Sequence, residues 1–599
     1  MRHDLRSTVV ATLLAALFPA VSVAASHRAS TPIESSDFRR TPTFDETVAW
    51  LHQLAAHFPE MKVTTFGRSA AGRELPLVIV AKDRKFDPPH SGESPARPIV
   101  LIQSGIHAGE IDGKDATMLL LADWAAGAHR ELMDGATILF VPIYNADGHE
   151  RISPYNRPNQ NGPTDGMGFR TTTQGLDLNR DHVKLVSPEA RALVALVNAW
   201  RPQLHVDIHV TDGVDMPAVF TWTAVEAPQL PAPVDLWMKA HVPTAVAAVE
   251  SAGFPAGPYV DLVDRTDVTK GFTSWVGGAR YSTGYFALRN RPSILIETHS
   301  YKPYRDRVLS VRAFLAGLLA EVNQDPRALI DAVAGSEARE IELGRPGAPP
   351  SEIALHWTES DTGDHYRWPV YSSRSETSAV TGKPVTLFDR TRTETIEVPW
   401  IHGSKSTLSV HRPRAYVVMP GWPQIEERLA AQGVRFSRIA SPLEIEVEVA
   451  RLSEPKYAET PYQGLTGVTE VKVERRRETR KIPAGALWVP ADQPDFEVAA
   501  QLLEPDAPDS LLSWGLLSTI FEGKEYIDPK VLEPMARKLL EDPGIAKDWE
   551  AALRDENFAA DPQARYTWWY RRTSYWDETI GLLPVFRVME GTPSSSAKR

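Results

Sequence analysis

His107 and Glu110 stand three residues apart, just after the apolar, β-branched run Ile99-Val-Leu-Ile102. That run reads as a buried strand; Ser104-Gly105 breaks it, and a helical pattern begins near Asp112. Both side chains therefore fall in a turn at the C-terminal end of a strand, where open α/β sheets hold their ligands. A neutral imidazole and a carboxylate so placed can converge on one cation. Catalytic zinc takes three such protein ligands, at roughly 2.0–2.2 Å for nitrogen or oxygen, and keeps a fourth position for water. Alone, the pair is weak evidence and better fits a helix-start carboxylate near a surface histidine, so the ends of the later strands decide.

Three of those ends carry polar residues. Val206-Asp-Ile-His-Val-Thr-Asp-Gly213 puts His209 at the close of a strand, before a turn. By itself it could be a satisfied core residue; with His107 and Glu110 it completes a two-histidine, one-glutamate set with an open position. In Gly175-Leu-Asp-Leu-Asn-Arg-Asp181, Asn179 and Arg180 set an amide beside a guanidinium, the fork that grips a carboxylate. Pro292-Ser-Ile-Leu-Ile-Glu-Thr-His-Ser300 ends an otherwise apolar strand on Glu297. A carboxylate entering an apolar sheet needs a partner or a task, and beside a metal-activated water it is a natural general base.

The elements that must position these residues follow from periodicity. Thr43 to His57 carries apolar residues at helical spacing; Gly67 to Arg73 is a turn, and Leu75 to Ala81 a strand. Ala116 to Trp124 is helical, and Ala136 to Tyr144 is another buried strand running into the turn Asn145-Ala-Asp-Gly148. The polar loop 149–175 is long enough to suggest function. Ser187-Pro188 starts a helix reaching about Trp200. Leu204 to His209 and Ser293 to Glu297 are strands. This alternation predicts an α/β domain, a mostly parallel or mixed doubly wound sheet with helices on both faces. Gly344-Arg-Pro-Gly-Ala-Pro-Pro350 reads as a linker. Beyond it, runs such as Val385 to Phe388, Ala415 to Met419 and Leu443 to Val449 predict a β-rich region, and from Ser510 the texture turns helical and aromatic. The expected organisation is a signal peptide over 1–25, a catalytic domain over 40–335, a β-rich accessory domain over 351–505 and a helical region over 506–599. Arg475-Arg-Arg477, flanked by Glu474 and Glu478, reads as a solvated strand face, and Tyr566-Thr-Trp-Trp-Tyr as packing.

Composition narrows the function. A chain of 599 residues exceeds one ordinary core. A net charge of -12 argues against a nucleic-acid partner. Arg2, His3 and Arg6 precede an apolar run from Val9 to Val23 and the small residues Ala24 and Ala25, the pattern of a cleaved secretory signal. No later stretch is long and apolar enough to cross a bilayer. With no cysteine in the chain, the mature protein needs no disulfide chemistry, and export from a bacterial cytoplasm to the periplasm or medium is the simplest expectation.

In order and strand-end placement, His107-x-x-Glu110, Leu178-Asn-Arg180, His209 and Glu297 resemble the zinc metallocarboxypeptidases of the carboxypeptidase A type, over roughly residues 40–325. The turns at 67–73 and 145–148 are similar to theirs too. The resemblance, to a long bacterial exported form, implies one zinc ion per chain held by His107, Glu110 and His209, with Glu297 as base and proton shuttle. It implies that Asn179 and Arg180 grip the substrate's terminal carboxylate and that Asp177 orients His107. The oxyanion-stabilising arginine falls on Arg170, with Arg157 also possible; the substrate-capping tyrosine is left unassigned between Tyr281 and Tyr285. The implied activity is hydrolysis of the C-terminal peptide bond of peptides or proteins with a free C-terminus. The alternatives are a zinc amidase or deacylase on the same scaffold, acting on cell-wall peptides or N-acyl amino acids; a metal pattern of His205, Asp207 and His209, which leaves His107 and Glu110 without a role; and a non-catalytic binding protein working through the region beyond residue 350.

Overall fold

The computed structural model describes residues 28–90 and 92–589, so the expected signal peptide lies outside the described residues. The N-terminal half forms strands β1 (Met61–Arg68), β2 (Glu74–Val80), β3 (Ile99–Ser104), β4 (Thr137–Val141), β5 (Leu204–Thr211), β6 (Phe220–Ala224), β7 (Ala256–Pro258), β8 (Val260–Leu262), β9 (Phe272–Ser274) and β10 (Ser293–His299). Before, between and after them run helices α1 (Pro32–Ser35), α2 (Phe44–Ala55), α3 (Asp112–Ala125), α4 (Ala146–His149), α5 (Pro188–Trp200), α6 (Ala232–Ser251), α7 (Ser282–Leu288), α8 (Tyr304–Gln324) and α9 (Pro326–Gly344).

One sheet orders its strands β1-β2-β4-β3-β5-β10-β6-β7. Its centre, β4-β3-β5-β10, is parallel, and antiparallel pairings join β1 to β2, β2 to β4 and β10 to β6, so the sheet is mixed. Alternation along the central strands feeds two cores. Val100, Ile102, Val206, Ile208, Ile294 and Ile296 pack with α2, α3, α6, α8 and α9. Ile99 and Leu101 point the other way, towards α5 and α7. α5 begins as its sequence predicts, with the Ser187 hydroxyl accepting from the Ala190 N–H and Pro188 at the first position.

β5 and β10 each run two residues past their apolar stretches, because Thr298 and His299 keep register with Val210 and Thr211. β4 stops at Val141, short of the expected Tyr144; Pro142 follows and has no N–H for the ladder. None of the helices among the described residues is long and apolar enough to cross a membrane.

The C-terminal half adds β11 (Glu352–Glu359), β12 (Gly363–Thr377), β13 (Pro384–Ile401), β14 (Ser404–His411), β15 (Ala415–Val418), β16 (Ser437–Arg438), β17 (Leu443–Tyr457), β18 (Val468–Ile482) and β19 (Leu487–Pro490). The long hairpin β12-β13 joins β9 and β8 in one sheet. The second core does not stop at the N-terminal half: residues of α5 and α7 cluster with Ile353, Leu355, Tyr416, Ile425, Leu429, Ala450 and Phe496. Beyond residue 506, a short 3-10 helix at Ser518–Phe521 comes first, α-helices begin at Pro529, and Val585–Val588 returns as β20 between β15 and β17. Trp549, Trp568, Trp569 and Trp576 pack with Ile527 and Leu532. In the arginine run, Arg476 and Arg477 are exposed, but Arg475 turns inward to Asp506 and Glu504.

Candidate active site

β3, β5 and β10 lie side by side and end at the same edge, so their C-terminal residues meet there. Gly105, at φ +70°, turns the chain out of β3 into the loop bearing His107 and Glu110. Gly109 lies between the two, and a Cβ on it would sit 2.6 Å from the Gly168 carbonyl oxygen. His209 and Glu297 are register partners on adjacent parallel strands, which puts their side chains on the same face.

His107 Nδ1 lies 3.1 Å from Glu110 Oε1, His209 Nδ1 lies 2.9 Å from Glu110 Oε2, and the two Nδ1 atoms are 3.2 Å apart. The opposite ring nitrogens face carboxylates: His107 Nε2 is 3.1 Å from Asp177 Oδ1, and His209 Nε2 is 2.9 Å from Asp207 Oδ2. Protons assigned to the Nε2 sides leave Nδ1 lone pairs pointing at each other and at a carboxylate. Two lone pairs at that distance repel unless a cation lies between them, and a donor set of two imidazoles and a carboxylate suits zinc. Among the described residues, His107, Glu110 and His209 are the group able to hold a metal ion, with their ligand atoms within 4.8 Å of one another. The residues present therefore fit the group.

The supports of this cluster are charged. Glu110 also accepts from Arg157 Nη2 at 2.8 Å and from the Val210 N–H at 3.1 Å. Burial works against its charge, but His107 and Arg157 hold the carboxyl well below the usual range. Asp177 is likewise kept ionised against burial by the hydrogen bond from His107 and by Arg170 and Arg180. Arg170 donates through Nε and Nη2 to Asp177 Oδ2, at 3.1 and 2.8 Å. Both Arg157 and Arg170 line the cleft. Burial, opposed by His209 and reinforced by Glu110, pushes the Glu297 carboxyl up to about 8. That carboxylate has no hydrogen-bond partner among the described residues and faces a cleft of about 480 Å³.

Asn179 and Arg180 line the same cleft. Asn179 Oδ1 accepts from the Ser282 N–H at 3.0 Å, which leaves its Nδ2 without an acceptor among the described residues. Tyr281 lies in the cleft wall, its ring centroid 4.4 Å from the Arg180 guanidinium carbon. Tyr285 is fully buried, donating to Gln432 Oε1, and does not reach the cleft. His205 stacks on Phe286 with centroids 3.8 Å apart and bonds Ser293 Oγ, away from the metal-capable group. Sequence reasoning missed Asp207 as the support of His209, although its two-residue spacing on one strand face was visible. It also missed Tyr462 and Gln463, which reach the site from the C-terminal half of the chain.

The zinc carboxypeptidase family model matches residues 47–229, from α2 to just past β6. "Carboxypeptidase 2" of Trichophyton equinum is 24% identical over 539 residues, 86% of this chain and 92% of that protein. "Carboxypeptidase 2" of Trichophyton rubrum is 23% identical over 510 residues, 82% of this chain and 87% of that one. A crystal structure of a metallo-carboxypeptidase from Burkholderia cenocepacia aligns with 47% of this chain and 70% of its own, at 19% identity and a TM-score of 0.35. The matched segment is a zinc carboxypeptidase domain. That domain is of the metallocarboxypeptidase class, peptide-bond hydrolases that use zinc, and it holds His107, Glu110 and His209.

Proposed function

We propose that the protein is an exported zinc carboxypeptidase that removes residues one at a time from free C-termini. The observation that carries this reading is a pair of unspent donors in the cleft of the metal cluster, Asn179 Nδ2 and Arg180 Nη2, neither with a protein acceptor among the described residues. A carboxylate is the acceptor such a pair fits. When bound at His107, Glu110 and His209, zinc supplies Lewis acidity, acidifying water and polarising a carbonyl. Glu297 takes a proton from the attacking water on a carboxylate oxygen and delivers it to the leaving amine. Arg170, accessible at the cleft wall, donates to the oxyanion; losing one such donor typically costs about 10²–10³ in rate.

The test compares a peptide with its C-terminally amidated twin. The free acid is expected to be cut far faster, since the amide offers no charge to grip. Arg180→Lys, which keeps the charge but loses the fork, should weaken cleavage of the free acid with zinc content unchanged. Equal rates on the two peptides would sink the exopeptidase reading and leave the amidase or deacylase one standing.

Localisation rests on the N-terminal pattern alone. Cleavage after Ala24 or Ala25 should leave a soluble periplasmic or secreted enzyme in a bacterial host. N-terminal sequencing of the mature protein checks this; material beginning at Met1 in a membrane fraction would contradict it.

A further inference from the structure

Between β17 and β18 the chain makes a tight turn, in which the Tyr462 N–H bonds the Leu465 carbonyl at 2.9 Å and the Leu465 N–H bonds the Tyr462 carbonyl at 3.1 Å. Its two central residues, Gln463 at φ +53° and Gly464 at φ +73°, are both left-handed. Glycine does this freely, whereas a glutamine there is strained and persists only where its surroundings demand it. Here the Gln463 side chain reaches out of the turn, and its Oε1 accepts from the Asp177 N–H at 2.8 Å. Next to it, the Tyr462 hydroxyl accepts from Arg180 Nε at 3.2 Å, while the Tyr462 ring stacks on Trp514 with an interplanar angle of 12°. A turn more than 280 residues downstream in sequence thus touches both the residue behind His107 and the guanidinium of the carboxylate grip. The shared core described above ties the strands that carry this turn to α5 and α7.

Arg180 is held on three sides. Nε gives its hydrogen to Tyr462, Nη1 donates to the Asn179 carbonyl at 2.8 Å, and the Tyr281 ring lies against the guanidinium plane. What remains is the Nη edge, with Nη2 carrying no partner among the described residues. An unrestrained arginine loses rotamer freedom when it binds a carboxylate, and a restrained one has already lost it.

We propose that the Tyr462–Leu465 turn is part of the substrate site, and that Tyr462 is a positioning residue which fixes Arg180 with its Nη edge open to the terminal carboxylate of the substrate. The C-terminal region is then a component of substrate recognition and not an appended module. This rests on the carboxypeptidase reading of Arg180.

The test uses the zinc-loaded full-length enzyme as wild type, Tyr462→Phe, Arg180→Lys and the double variant, each on a free-acid peptide and its amidated twin. Tyr462 is half-exposed, and phenylalanine preserves the stacking on Trp514. Tyr462→Phe is expected to raise KM for the free acid roughly three- to tenfold, the net size of one ordinary hydrogen bond, with kcat little changed. It should leave the amidated peptide and the bound zinc unaffected, and add nothing in the Arg180→Lys background. An unchanged KM, an equal loss on the amidated peptide, or an equal loss in the Arg180→Lys background would each overturn the proposal. Failure of the underlying reading shows separately, in a wild-type enzyme that does not distinguish the two peptides.

Discussion

Glu297→Gln is expected to lower kcat by about 10⁴-fold while leaving zinc content, thermal midpoint and KM close to wild type. General acid–base catalysis contributes typically 10²–10⁴, and here one carboxylate serves both proton transfers, so the upper end applies. Glutamine keeps the shape of Glu297, and no described residue donates a hydrogen bond to the carboxylate it replaces, so nothing nearby loses a partner. Burial already disfavours the ionised form of the Glu297 carboxyl beside Glu110 and Asp207, so a neutral amide there should not destabilise the fold. Single-turnover kinetics on a free-acid peptide, with metal analysis of the same sample, measures both quantities. A variant retaining more than a tenth of wild-type kcat would remove Glu297 from the proton path.

The second large effect lies at the cluster itself. His107→Ala, His209→Ala or Glu110→Gln should abolish stoichiometric zinc and bring activity to background, because each removes one of three ligands. The three should differ in stability. His209→Ala leaves Asp207 facing an empty space in a fully buried position, an uncompensated charge that costs several kcal/mol. Glu110→Gln keeps the volume and separates metal loss from misfolding. Chelation of the wild type should lower its thermal midpoint, since a metal that binds only the native state stabilises it by mass action. Full zinc occupancy in a His107→Ala/His209→Ala enzyme would place the metal elsewhere.

Much of this site was legible because its parts stand at strand ends. A β-branched run followed by Gly105, or closed by a lone Glu297, announces both the strand and the residue that leaves it. Register then brings neighbours together: His209 and Glu297 are close because β5 and β10 are parallel and in phase. The lengths of β5 and β10 were less legible, since polar Thr211, Thr298 and His299 continue the ladder through backbone bonds that carry no side-chain signature. Between Tyr281 and Tyr285 the sequence could not choose. Four residues apart on α7 and its cap, they lie roughly one turn apart, and only packing shows that Gln432 and Arg289 claim Tyr285.

The C-terminal half was the least legible part, for a physical reason. Its strands could be read from alternation, but their destination depends on contacts hundreds of residues apart. Val585–Val588, after a helical, aromatic stretch, enters a sheet whose other strands were made long before it. The reach of Gln463 and Tyr462 into the metal-site surroundings depends on how β17 and β18 pack, and no local pattern encodes that.

The most direct test of a zinc carboxypeptidase is mass spectrometry of one unblocked peptide incubated with zinc-loaded, chelator-stripped and zinc-restored enzyme. The expected result is a ladder of products shortened from the C-terminus one residue at a time, absent from the stripped sample and recovered on adding zinc. Internal fragments, losses from the amino terminus, or an unchanged ladder after the metal is removed would contradict it.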